Sequence, residues 1–154
     1  MKQLFTMLML ASSMLVAHAP ALAAERGTTE EAVAMTRKAI AYMKANGKDK
    51  TFAEINRHGG QFSDRDLYVV VYDMNGKNLA HGANPRIVGK DLIDIRGGDG
   101  VYYMHDRIEL IKAKGKGWQD YQFVDPLSKK VEPKSMYVER YEDVIVGCGI
   151  YKPH

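Results

Sequence analysis

From Ala32 onward, the apolar positions Ala32, Val33, Met35, Ala39, Ile40 and Met43 recur at helical spacing. Thr28 or Thr29 suits the N-cap of this segment, Glu30 and Glu31 its first turn, and Asn46-Gly47 its stop. A helix of about 17 residues is predicted. A second, shorter helix starts near Lys48, turns Phe52, Ala53 and Ile55 inward, and ends at His58-Gly59-Gly60.

The period then changes. Leu67-Tyr68-Val69-Val70-Val71-Tyr72 is β-branched and aromatic throughout, too apolar for an edge strand with one wet face. Asn75-Gly76 is the preferred pair of a tight hairpin turn, so Asn78-Leu79-Ala80-His81 returns as a second strand. Residues 82–100, rich in Gly, Asn, Asp and Pro, read as an ordered loop. Residues 101–113 read as a helix with Tyr102, Met104 or His105, Ile108 and Ile111 on one face. Three strands complete the chain: 117–123, then 134–140 across a turn from Pro126 to Pro133, then Val144 to Tyr151. This order specifies an α+β domain with a single antiparallel sheet of about five or six strands. It resembles the PAS-like scaffold, with the long N-terminal helix packed behind the sheet.

Residues 1–23 stand apart. Lys2 precedes an uncharged, mostly apolar run from Leu4 to Ala17, Pro20 breaks it, and Ala21-Leu22-Ala23 has small residues at both ends. That is the layout of a secretory signal peptide cleaved after Ala23, and the run is too short to span a bilayer. Residues 24–154 are then one exported domain, periplasmic in a bacterium. The sequence holds 22 Lys+Arg against 19 Asp+Glu, and the net charge falls from +3 to +2 once Lys2 is removed. Interspersed charges of this size give no footprint for nucleic acid. Cys148 is the only cysteine, so no intrachain disulfide can form, and its apolar strand context reads as a small buried residue.

Catalytic motifs are missing. His58, His81 and His105 lie more than 20 residues apart with no metal-ligand spacing, and His18 and His154 fall near the ends. A calcium loop from Asp73 would need Gly and Glu where Asn78 and Asn84 stand. There is no G-x-S-x-G, no P-loop and no dinucleotide fingerprint. Asp64 and Asp66 flank a strand start, where solvated turn residues are expected. No enzyme, metal site or cofactor is implied. What remains is aromatic and cationic residues on strands. Alternation puts Tyr68, Val70 and Tyr72 on one face, and sets Lys134, Met136 and Val138 opposite Ser135, Tyr137 and Glu139. Trp118, Asp120 and Gln122 similarly oppose Gln119, Tyr121 and Phe123. Lys134 is either an inward cation or an exposed cap at the hairpin end.

Six segments, in this order, resemble the single Cache domain of bacterial extracellular sensors. They are the run from Asp64 to Gly76, Leu79-Ala80-His81, Val88-Gly89-Lys90-Asp91-Leu92, Gly117-Trp118-Gln119-Asp120-Tyr121, Pro133-Lys134-Ser135-Met136-Tyr137-Val138 and Gly147-Cys148-Gly149-Ile150-Tyr151. The resemblance spans residues 28–151. It implies a pocket for a small metabolite, often a short organic acid, on the face away from the long helix. A carboxylate there needs a fixed cation and neutral donors to recover its desolvation. Lys134 would supply the charge, Tyr121, Tyr137, His81 and Trp118 the donors and walls, and Arg86 a second cation. Such members usually continue into a transmembrane helix, whereas Tyr151-Lys152-Pro153-His154 ends this chain. The expectation is a free-standing sensor that reports to a separate membrane chemoreceptor or histidine kinase, as a monomer or as a homodimer through the N-terminal helix. A protein-interaction module whose pocket is filled by its own side chains is the alternative.

Overall fold

The computed structural model describes residues 25–152, so the expected leader at 1–23 lies outside the described residues, as do His18 and His154. Helix α1, Thr29–Asn46, begins at a capping box. The Thr28 hydroxyl accepts from the Glu31 N–H, and the Glu31 carboxylate accepts from the Thr28 N–H. Gly47 ends α1 at φ 83°, a conformation that only glycine adopts without strain, and α2, Lys48–Asn56, follows at once. Ile55 of α2 points inward as expected, whereas Ala53 is exposed and Thr51 is buried instead.

Six antiparallel strands form the sheet: β1 Ser63–Asp64, β2 Leu67–Asp73, β3 Asn78–His81, β4 Lys116–Val124, β5 Val131–Tyr141 and β6 Val144–Tyr151. Their order is β1-β2-β6-β5-β4, with β3 pairing β2 on the same side as β1. The apolar run of β2 is therefore internal, between β6 and the β1/β3 edge. Between β3 and β4 lie a 3-10 turn at Pro85–Ile87 and helix α3, Tyr103–Lys114. Pro133, expected to close the β4–β5 turn, lies inside β5 opposite Gln122.

Strand alternation splits the core in two. Val69, Val71, Val144 and Val146 meet Ala39, Ile40 and Met43 of α1. Tyr68, Val70, Tyr72, Met136, Val138 and Tyr151 face the other way, against Tyr103, Met104, Ile108 and Ile111 of α3. Lys134 and Arg107, both buried, belong to this second layer.

Gly149 makes room in that layer. A Cβ there would lie 2.7 Å from the Ser135 carbonyl and 2.8 Å from Cε of Lys134. Gly149→Ala is therefore expected to cost about 1–3 kcal/mol of stability by forcing β5 and the lysine stem apart. Urea denaturation measures this, and an unchanged midpoint would refute it.

Candidate functional site

The buried polar face is built from β2, β3, β4, β5, β6 and α3. Lys134 on β5 is 1% exposed, which settles its sequence ambiguity in favour of the inward cation. It is the ladder partner of both Tyr121 and Tyr151. Its ammonium donates to the Tyr68 hydroxyl at 2.6 Å and the Tyr151 hydroxyl at 3.3 Å, and lies 3.8 Å from the Tyr68 ring centre. The two phenols are 2.8 Å apart, and Tyr151 donates onward to the Val124 carbonyl at 2.7 Å. Two of the ammonium's three N–H donors are thus used, both on neutral oxygens. Burial, with the Arg107 charge adding to it, lowers the Lys134 pKa to about 7, while Cys148, Asp66 and Asp125 oppose that fall.

Arg107 on α3 is fully buried. Its Nε donates to Gln119 Oε1 at 2.9 Å, and Gln119 in turn donates to the Tyr103 carbonyl at 2.6 Å. Nη1 and Nη2 make no hydrogen bond of good geometry, although the Tyr121 and Tyr72 hydroxyls act on the charge from nearby. Three rings surround the guanidinium instead, Tyr121 at 4.9 Å, Tyr72 at 5.1 Å and Tyr103 at 5.3 Å from Cζ. Guanidinium does not deprotonate in proteins, so a fixed positive charge with two unpaired donor nitrogens is held in the layer.

His81 is the third polar group. Its Nδ1 accepts from the Asn84 N–H at 2.9 Å and the Ala83 N–H at 3.2 Å, which leaves its proton on Nε2. Burial, then repulsion by Lys134, drives its pKa to about 3, so the ring is a neutral donor at any physiological pH. It stacks on Tyr68 at 4.9 Å and lies 6.3 Å from Phe123.

Lys134, Tyr121 and His81 are thus brought together by the fold. Trp118 and Tyr137 are not. They are ladder partners with rings 5.5 Å apart on the opposite face, where Arg37 of α1 lies 6.0 Å from the Tyr137 ring. Trp118 is 39% exposed, so it belongs neither to the core nor to the polar layer. Arg86 is exposed on the 3-10 turn. Sequence reasoning missed Arg107, Tyr68 and Tyr151. The signal for Arg107 was its spacing of four from both Tyr103 and Ile111, which together with Met104 and Ile108 marks the buried face of α3. Tyr102, expected inside, lies on the exposed side, and of the alternatives Met104 and His105 it is Met104 that is buried.

Beside Tyr68, a surface hollow of about 260 Å³ opens between Gly82, Ala83, Pro126 and Leu127. Tyr68, whose hydroxyl accepts from Lys134, is among its lining residues. Among the described residues, no group of three His, Cys, Asp or Glu could hold a metal, and no helix is long and apolar enough to cross a membrane.

Known proteins share this fold. The model of the family described as single Cache domain 2 matches residues 2–152. Among curated proteins, the chain is similar to the methyl-accepting chemotaxis protein McpP of Pseudomonas putida, 28% identical over 90 residues. That match covers 57% of this chain but 16% of the relative. A solved methyl-accepting chemotaxis protein from Vibrio parahaemolyticus is 24% identical with TM-score 0.68, covering 79% of this chain and 86% of that one. A periplasmic sensor domain of a chemotaxis protein is 23% identical with TM-score 0.63, covering 80% and 90%. A Cache chemosensory domain, described for its carboxylic acid recognition, is 22% identical with TM-score 0.68, covering 80% and 92%. These solved structures share the fold, a helix behind an antiparallel PAS-like sheet.

Proposed function

The chain belongs to the single Cache domain 2 family, and from that premise we propose that it is a non-enzymatic sensing domain for a short carboxylate. In this reading residues 1–23 are a cleaved leader, residues 24–154 work in the periplasm, and a separate chemoreceptor or histidine kinase in the membrane reads the bound state. One observation carries the proposal. Lys134 and Arg107 are both buried on one face, and neither has a carboxylate among its hydrogen-bond partners. Native proteins rarely bury charge without an opposite charge, because desolvation then goes unrecovered. A small anion supplies what is missing: two oxygens for Nη1 and Nη2 of Arg107 or for the unused N–H of Lys134. His81 and Tyr121 would be the neutral donor and wall. Carboxylic acid recognition by the similar Cache chemosensory domain agrees with this chemistry.

A thermal-shift screen of the purified protein tests it. Acetate, propionate, lactate and pyruvate are compared with amino acids and simple amines. An acid at a hundred times its dissociation constant stabilises by about 2.7 kcal/mol, a rise of several degrees. Cationic amines should do nothing. Shifts with amines and none with acids would overturn the proposal. Arg107→Lys, which keeps the charge and loses the planar fork, should weaken the best acid by about tenfold or more, and unchanged affinity would remove Arg107 from the site.

The aromatic packing favours a second reading. Tyr68, Tyr72, Tyr103 and Tyr121 cover both cations, so the layer could be complete without a ligand and the domain could bind only protein. A well-folded sample that responds to nothing in the screen would support that alternative.

A further inference from the structure

Residues 25–28 form a strap across one end of the sheet, and it is fastened to two carboxylates with no solvent exposure. Asp66 sits in the turn between β1 and β2, not solvated as its sequence context suggests, and Asp125 directly follows β4. Arg26 Nη2 donates to Asp125 Oδ2 at 2.7 Å, and Nη1 lies 3.4 Å from Asp66 Oδ2. The Gly27 N–H donates to Asp66 Oδ1 at 2.7 Å, and Arg65 donates to the Arg26 carbonyl at 3.1 Å. Gly27 lies so close to Leu67 that a Cβ would come within 2.3 Å of that side chain. Burial alone would raise the Asp125 pKa, yet Arg26 and the Leu127 N–H hold it below the ordinary value.

The strap and the polar layer are joined at both ends. Asp66 is two residues from Tyr68, which accepts from Lys134. Asp125 follows Val124, whose carbonyl accepts from Tyr151, the other phenol on Lys134. The Asp66 and Asp125 charges also act on Lys134 directly and favour its ammonium. Two buried acids therefore act on two cations, on Arg26 by direct ion pairs and on Lys134 by a weaker field across the phenols. With Arg26 in place, the acids present a net single negative charge to Lys134. With Arg26 withdrawn they present two, which hold the ammonium more strongly and repel an incoming anion.

We propose that the strap is an electrostatic latch on the anion site: Arg26 and Lys134 compete for Asp66 and Asp125, so a closed strap and a bound anion favour each other. By linkage the effect is reciprocal, and coupling of this kind spans about fivefold or more in population. The inference rests on the carboxylate reading only where a ligand enters.

Trypsin reads the strap directly. A clasped Arg26 cannot enter the protease, so cleavage at Arg26-Gly27, followed by mass spectrometry, tracks the open population. Without ligand, on the acid side of the Lys134 titration, Asp125→Asn should speed the cut by about fivefold or more. Lys134→Met should slow it, because the acids lose their other cation. A strap of purely structural role would respond to the first variant and not the second. Equal rates for Lys134→Met and the parent, checked with Lys134→Gln in case the first misfolds, would overturn the latch. Saturating propionate should slow the cut in the parent and leave Lys134→Met unchanged. Propionate that raises the melting temperature without slowing the cut would refute the latch and keep the carboxylate reading. If none of the acids in the screen does either while Lys134→Met still slows the cut, the competition of Arg26 and Lys134 for the acids stands and the carboxylate reading falls.

Discussion

Lys134→Met is expected to abolish carboxylate binding while leaving the domain folded and no less stable. Methionine matches the length of the lysine stem, so the space beside Gly149 stays filled. The phenols lose nothing essential, because Tyr68 and Tyr151 remain bonded to each other and Tyr151 to the Val124 carbonyl. An ammonium bonded to neutral phenols recovers little of its desolvation, so an apolar replacement is neutral or favourable in the free protein. The bound state is different. Removing one side of a buried, hydrogen-bonded charge pair costs about 2–5 kcal/mol, a loss of roughly thirtyfold or more in affinity. Titration calorimetry with the best acid of the screen, beside urea denaturation of both proteins, measures the two effects separately. Undiminished affinity in a folded variant would exclude Lys134 from the site. Lost affinity together with lost stability would mean that Lys134 is structural.

Much of this was legible in the sequence, and the misses have physical reasons. The unbroken apolar run of β2 required neighbours on both sides, and it has β6 on one and β1 with β3 on the other. Alternation along β5 set Lys134 on the face of Met136 and Val138 but left it either an inward cation or an exposed cap, and its burial decides for the first. The same alternation set Tyr137 against Lys134, and Trp118 against Tyr121. Grouping all four residues in one pocket set chemistry above geometry, and the fold separates them by the thickness of the sheet. Arg107 was lost because only uncharged positions were considered for the inner face of the helix at 101–113. Met104, Ile108 and Ile111 lie inside as expected, but Tyr103 and Arg107 complete that face in place of Tyr102. No local pattern could reveal the clasp, since Arg26 meets acids 40 and 99 residues away. Buried ion pairs between loops leave no periodic trace.

The free protein should grow more stable as pH rises from 7 to 9, while its response to a carboxylate shrinks. Burial lowers the Lys134 pKa from 10.5 to about 7, so above that pH the native protein has released a proton that the unfolded chain keeps. Stability rises with pH wherever the unfolded state binds more protons. Across this window the gain is about 2 kcal/mol, several degrees in melting temperature. The other buried groups titrate elsewhere. His81, lowered from 6.5 to about 3 chiefly by burial, removes stability only as pH falls below 6.5. Cys148, raised by burial from 9.0 to about 12, works in the opposite direction and only above pH 9. Lys134 therefore dominates between 7 and 9. An anion needs the ammonium, so its affinity should fall toward tenfold per pH unit above 7 as the amine becomes neutral. Melting curves at both ends of the window, with and without propionate, read the two slopes together. Lys134→Met should flatten both, and a parent-like rise in that variant would assign the pH dependence to another group. Fixed ligand affinity across the window in the parent would mean that the acid is held by Arg107 alone, whose charge does not titrate there.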